Sequence, residues 1–288
     1  MNATFAATSE RSARRRIWLC ADDYGISPAV DTAIRDLVVH GRLNATSVMV
    51  ATPSFNRAEA LPLSMLNIAS RRVALGLHVT LTAPFRPLSA DFAPLRDGAF
   101  LPIKDLLRSA LLRQLRPDAF AAEVLAQIKA FHDAFGRPPD FIDGHQHVHL
   151  FPQIRDGVLN AAGEAAPQAW VRQCGRALPF YQRLGDRKGL LLDALSHEFR
   201  RAAKRAGVHV NPAFAGTYDF NSSVPFADRF ARFLNRLPTG GVVMCHPGFV
   251  DAELKRVDPL TTQREKEHAF FASDEFPRVL AAHGVALM

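Results

Sequence analysis

Short apolar runs alternate with longer segments of helical period along most of the chain, and this alternation narrows the fold more than any single motif does. Residues 17–21 (Ile-Trp-Leu-Cys-Ala) read as a buried strand. A helix is expected from Ser27 to His40: Ser27 can cap it, Pro28 suits its first position, and Val30, Ile34, Leu37 and Val38 recur at helical spacing. Gly41 stops it. The pattern then repeats. Strands are expected at 45–50, 73–79, 140–143, 169–172, 207–210, 241–245 and 284–288. Helices are expected at 54–62, 116–135, 152–165, 187–206, 224–236 and 265–282. Residues 83–102, with the turn signal Asp97-Gly98, and 251–264 read as loops. Strands alternating with helices imply a parallel sheet covered by helices. About seven or eight such units favour a single TIM-like (β/α) barrel over an open doubly wound sheet. No GxGxxG follows the first strand, which also counts against a dinucleotide-binding sheet.

A chain of 288 residues, 48% hydrophobic and 22% charged, buries enough surface to fold without disulfides or a structural metal. Any metal would then serve chemistry. The three cysteines, Cys20, Cys174 and Cys245, are odd in number and show no CxxC spacing, so a zinc finger or disulfide framework is not expected. A reducing, cytoplasmic setting is. The net charge of +7 raises nucleic acid or an acidic glycan as partners for a non-catalytic binding protein. The arginines are scattered, however, and the one dense run, Arg14-Arg15-Arg16, lies away from the polar motifs. Nucleic acid is therefore not the expected partner. The apolar run after those arginines ends within five residues at Asp22, too short for a signal peptide or a membrane anchor. Residues 1–16 are expected to be a flexible extension and 17–288 the barrel; a homodimer stays open.

Reactive residue types gather at the C-terminal ends of the expected strands, where parallel barrels build their sites. Asp22 and Asp23 end the first strand, His78 the third, and His246 the strand 241–245. His145, His147 and His149 alternate after 140–143, which would put them on one side of an extended segment. Two adjacent carboxylates after an apolar strand are costly unless a cation lies beside them, and a divalent metal would meet that need. A capping Asp beside a surface Asp is the plainer alternative. Imidazoles beside a carboxylate suit zinc, whereas magnesium prefers oxygen. Asp143 could accept a ring N–H behind a ligand. His147, Arg172, Tyr218 and Arg264 are candidates either for substrate contact or for support behind the ligands, and a solvated or structural role is the plainer reading. Cys20 and Cys245 read as small core residues.

Five segments in order, ADDYG (21–25), NATSVMV (44–50), GLHVTLT (76–82), DGHQHVHLFP (143–152) and MCHPGFVD (244–251), resemble the YdjC/ChbG-like carbohydrate deacetylases, a family that includes hopanoid-associated members. The resemblance spans residues 17 to 251. It implies a distorted (β/α) barrel that holds one divalent ion, magnesium or zinc, and hydrolyses the N-acetyl group of an amino sugar. By position, Asp23, His78 and His145 would be ligands, Asp22 the general base and His246 the acid. Tyr24 stands where the family usually has Phe, and Thr80 where many members have Asn. Segments 83–115 and 175–225 match poorly. Another hydrolase on the same scaffold, a phosphoesterase or amidase, is the rival reading.

Overall fold

A computed structural model of the chain describes residues 14–68, 73–177, 186–220 and 224–288. The first half runs β1 (Arg15–Tyr24), α1 (Pro28–Val39), β2 (Ala45–Val48), α2 (Arg57–Ile68) and β3 (Ala74–Val79). A short hairpin, β4 (Leu95–Arg96) and β5 (Ala99–Phe100), leads into α3 (Ile103–Leu111) and α4 (Pro117–Phe135). Then follow β6 (Phe141–Gly144), a 3-10 segment (His145–Leu150), α5 (Ile154–Ala165), β7 (Trp170–Val171) and α6 (Arg187–Ala206). The chain closes with β8 (Phe214–Ala215), α7 (Phe226–Phe233), β9 (Val242–Cys245), α8 (Ala252–Val257), α9 (Thr262–Ala272), α10 (Glu275–Ala282) and β10 (Val285–Leu287).

The main sheet is parallel, in the order β7-β6-β3-β2-β1-β9-β8, with β10 added to the start of β1. Parallel neighbours need crossover connections, which the helices supply. Isolated parallel bridges, Val171 to Val210 and Arg176 to Phe214, tie the β7 end to the β8 end, so the sheet curls round into a distorted barrel. Strands β2, β3, β6 and β9 are buried at every residue, as expected where helices cover one face and the barrel interior the other. Gly76 lets β3 and β6 approach: a Cβ there would meet the Phe141 ring at 2.3 Å.

Local signals work where the sequence placed them. Ser27 caps α1 by accepting from the Val30 N–H, and Gly136 ends α4 in the left-handed conformation. Several boundaries differ from expectation. Strand β1 begins at Arg15, paired with Val285, so the extension ends before residue 17; residues 1–13 lie outside those described. The loop 83–102 carries the β4–β5 hairpin, whose turn is Asp97-Gly98 with φ of 54° and 74°. The loop 251–264 contains α8, capped by the Asp251 carboxylate. The helix expected over 265–282 is two helices, broken at Ser273. The strand expected at 207–210 lies at Phe214–Ala215. No helix among the described residues is long and apolar enough to cross a membrane.

Candidate active site

The end of β1 is where the backbone builds the site. The pairing of β1 with β2 slips between Ala21 and Tyr24, and Asp23 takes φ of 71°. A regular strand would send Asp22 and Asp23 to opposite faces. The irregularity re-aims them, and both line one cavity of about 350 Å³ at the strand ends. Both carboxylates are about 1% exposed.

Asp23 faces two imidazoles. Its Oδ1 lies 3.2 Å from His78 Nε2 and 3.0 Å from His145 Nδ1. Its Oδ2 accepts from Arg264 Nη2 at 2.6 Å, and Arg264 also reaches Asp258 at 2.7 Å. Burial alone would raise the Asp23 pKa; Arg264 and His145 outweigh it and hold the carboxyl well below the usual range. One ligand atom from each of Asp23, His78 and His145 lies within 4.8 Å of the others. His78 Nδ1 is bound to Asp143 Oδ1 at 2.6 Å, which leaves Nε2 for the cavity. Burial opposes a charge on His78, yet Asp143 and Asp23 prevail and push its pKa up to about 10. Surroundings that hold a proton so firmly also favour a divalent cation. This donor set, with a carboxylate bonded behind one of its two histidines, fits such an ion.

Asp22 belongs to a second network. Arg172 donates to it twice, Nη1 to Oδ2 at 2.6 Å and Nη2 to Oδ1 at 2.7 Å, and lies 2.5 Å from Asp143 Oδ2. Ser47 adds a hydrogen bond to Asp22 Oδ1 at 3.2 Å. Burial would raise the Asp22 pKa; the Arg172 guanidinium holds it well below the carboxylate range instead. Cys20, Asp22 and Asp143 also cluster, but Arg172 already supplies the cation there.

The expected residues fall into three groups. Asp22, Asp23, His78, His145 and His246 line the same cavity, as do His147 and Tyr218. Asp143 stands behind His78. Arg172 and Arg264, expected either to meet substrate or to stand behind the ligands, are fully buried and paired with the aspartates. The shared side expected for His145, His147 and His149 is also corrected. The segment is 3-10, with Gln146 and His147 at φ of 55° and 60°, so alternation fails. His149 turns away, its Nε2 2.8 Å from the Arg172 carbonyl oxygen. His147 Nδ1 packs 3.5 Å from Cys174 Sγ. His246 stands with Nε2 4.0 Å from Asp23 Oδ2, and burial lowers its pKa.

Sequence reading missed Ser47 and Glu267. Ser47 is a polar residue inside a strand that is buried at every position, which is a usable signal. Glu267 is fully buried; it accepts the His246 N–H at 2.6 Å and the Tyr218 hydroxyl at 2.5 Å. Its signal was its spacing from Gln263 and Arg264 on one face of α9.

Polar groups held at the strand ends of a parallel barrel, around a concave site with apolar walls, define an α/β-barrel enzyme. The family model of YdjC-like proteins matches residues 16–282, and the chain belongs to that family. It is 30% identical over 268 residues to the chitooligosaccharide deacetylase of Proteus mirabilis, covering 93% of this chain and 94% of that one. To the chitooligosaccharide deacetylase of Serratia marcescens it is 31% identical over 235 residues, 81% and 82% of the two chains. Among solved structures it resembles a protein of Enterococcus faecalis provisionally described as a cellobiose-phosphate cleavage protein. That match has a TM-score of 0.69 and 21% identity, over 96% of this chain and 97% of the other, and it bears on the fold alone.

Proposed function

We propose that this chain is a metal-dependent hydrolase that removes the N-acetyl group from an amino sugar carried on an oligosaccharide or glycolipid. The observation that carries this reading is one cavity holding the convergent Asp23-His78-His145 triad beside a second carboxylate, Asp22, kept ionised by Arg172. The identity to two chitooligosaccharide deacetylases over most of each chain supports the same chemistry.

Amide hydrolysis needs an activated water, a stabilised oxyanion and a proton for the leaving nitrogen. A divalent ion, magnesium or zinc, held by Asp23, His78 and His145 would supply Lewis acidity toward the acetyl carbonyl and the water. Asp22 accepts the proton of the attacking water at its carboxylate. Arg172 fixes that carboxylate by a two-point grip, which limits the geometries from which it can act. His246 donates a proton to the leaving nitrogen. Burial favours its neutral form, so it first takes up a proton, either the one Asp22 removes from water or one from solvent, and then passes it to the leaving nitrogen. Ile103, Phe220, Met244 and Leu260 give the cavity apolar walls suited to the faces of a sugar ring. The buried, unpaired thiols of Cys20, Cys174 and Cys245 support a cytoplasmic setting.

The test is metal analysis of the purified protein, followed by an acetate-release screen over N-acetylated oligosaccharides and glycolipids. Asp22→Asn should bind metal normally and release acetate at least about a thousandfold more slowly. Near-normal release by that variant would remove Asp22 as the base. Phosphate release without acetate release would move the chain to another hydrolase class.

A further inference from the structure

One carboxylate, deep in the wall and outside the ligand set, holds two sides of the cavity together. Glu267 sits on α9 with no solvent exposure, next to the buried rings of Phe270 and Phe271. Its Oε2 accepts the backbone N–H of His246 at 2.6 Å. Its Oε1 accepts the hydroxyl of Tyr218 at 2.5 Å. Neither partner is cationic, and burial pushes the Glu267 carboxyl up to about 7, against the pull of those two donors. A carboxyl in such a place lowers stability relative to an apolar side chain. Its presence calls for a role beyond packing.

Its two partners define that role. His246 follows β9 directly, and Tyr218 lies in the segment after β8; both line the site cavity. Phe220 packs on both, 4.5 Å from the Tyr218 ring and 5.8 Å from the His246 ring between centroids. Arg229 covers Tyr218 at 4.8 Å from its centroid. Three residues earlier on α9, Arg264 holds Asp23. The inner face of α9 therefore reaches the ligand set, the acid and the substrate wall together.

We infer that Glu267 is a positioning residue: it clamps the His246 backbone and the Tyr218 phenol to one carboxylate, so that the acid and the substrate wall are set as one unit. The inference rests on the deacetylase reading for its kinetic consequence and on geometry alone for the clamp. Glutamine can preserve the clamp, because its carbonyl oxygen can accept the His246 N–H while its amide donates to the Tyr218 oxygen. Alanine leaves the His246 N–H without its partner and the Tyr218 hydroxyl with only Gln263 beside it.

Acetate release and amide hydrogen exchange, measured together on the metal-loaded protein, test this. Glu267→Ala should lower kcat about tenfold or more, with a smaller change in KM, and should speed exchange in both 214–220 and 244–248. Glu267→Gln should recover kcat to within about threefold of wild type. Tyr218→Phe, which leaves Glu267 in place, should raise KM and still loosen 244–248 through the shared carboxylate. The clamp is overturned if Glu267→Ala leaves kcat within about twofold, or if Glu267→Gln is as damaging as alanine, since charge would then be what matters. Should the alanine variant fail to fold, unchanged exchange at 244–248 in Tyr218→Phe overturns it equally. A wild-type protein that releases no acetate would end the deacetylase reading, while the exchange measurements would still decide the clamp.

Discussion

Arg172 grips Asp22 through two parallel hydrogen bonds, at 2.6 and 2.7 Å, across 150 residues of sequence. The same guanidinium faces Asp143 at 2.5 Å, so two buried carboxylates share one buried arginine. Replacing it with lysine keeps the charge and loses the fork. Arg172→Lys should lower kcat by roughly a hundredfold with metal content unchanged. Arg172→Met removes the guanidinium that two buried carboxylates share and should destabilise the fold by about 3–5 kcal/mol. Steady-state kinetics and urea unfolding read the two effects separately; an active Arg172→Met protein would contradict the role given to Arg172.

Asp143 bonds His78 Nδ1 at 2.6 Å and so fixes which ring nitrogen faces Asp23. Asp143→Asn should weaken metal binding by about 10–100-fold, whereas His145→Ala, which removes a proposed ligand, should weaken it further. A competition titration with a chelating dye measures both. Equal affinity in wild type and Asp143→Asn would show that His78 needs no such support, or is not a ligand.

How much of this was legible in the sequence follows the range of the interaction. Ser27 and Pro28 act within one turn of a helix, and they placed the start of α1 correctly. The barrel was legible because a parallel sheet repeats the same unit along the chain. Asp22, Asp23, His78, His145 and His246 could be read because each ends a strand, and the C-terminal ends of parallel strands share an edge. The roles of Arg172 and Arg264 could not, since their partners lie 150 and 241 residues away. Nothing local separates an arginine that holds an aspartate from one that meets substrate. The histidine run misled for a different reason. Alternation predicts a common side only on extended backbone, and the left-handed Gln146 and His147 break it.

Gly76 and Gly163 make opposite predictions for the same substitution. At Gly76 a Cβ would stand 2.3 to 2.6 Å from three ring carbons of Phe141, which itself stacks on Trp170 at 4.6 Å. Gly76→Ala should cost about 1–3 kcal/mol or more, because that stacked ring has to move. Gly163, inside α5, has nothing within 4 Å of its would-be Cβ. Gly163→Ala should stabilise by about 0.4–1 kcal/mol through the unfolded chain. Paired urea titrations decide it; a neutral Gly76→Ala would show that β3 and β6 are less tightly packed than described.

Asp31 supplies the prediction with a pH signature. It is fully buried, accepts the Gly25 N–H at 2.5 Å through Oδ1, and leaves Oδ2 with no hydrogen-bond partner. Burial, aided by the nearby Glu59, pushes its pKa up to about 8. An unfolded aspartate titrates near 3.9, so between about pH 4 and pH 8 the folded state binds the extra proton. Stability contributed at this position is therefore full below about pH 4, falls as pH rises toward 8, and levels off above that. Asp31→Asn keeps an oxygen for the Gly25 N–H and removes the ionisation. Its melting temperature should match wild type near pH 4 and exceed it by several degrees at pH 8.5. A difference that stays constant across that range would show that Asp31 is not neutral in the folded protein at pH 7.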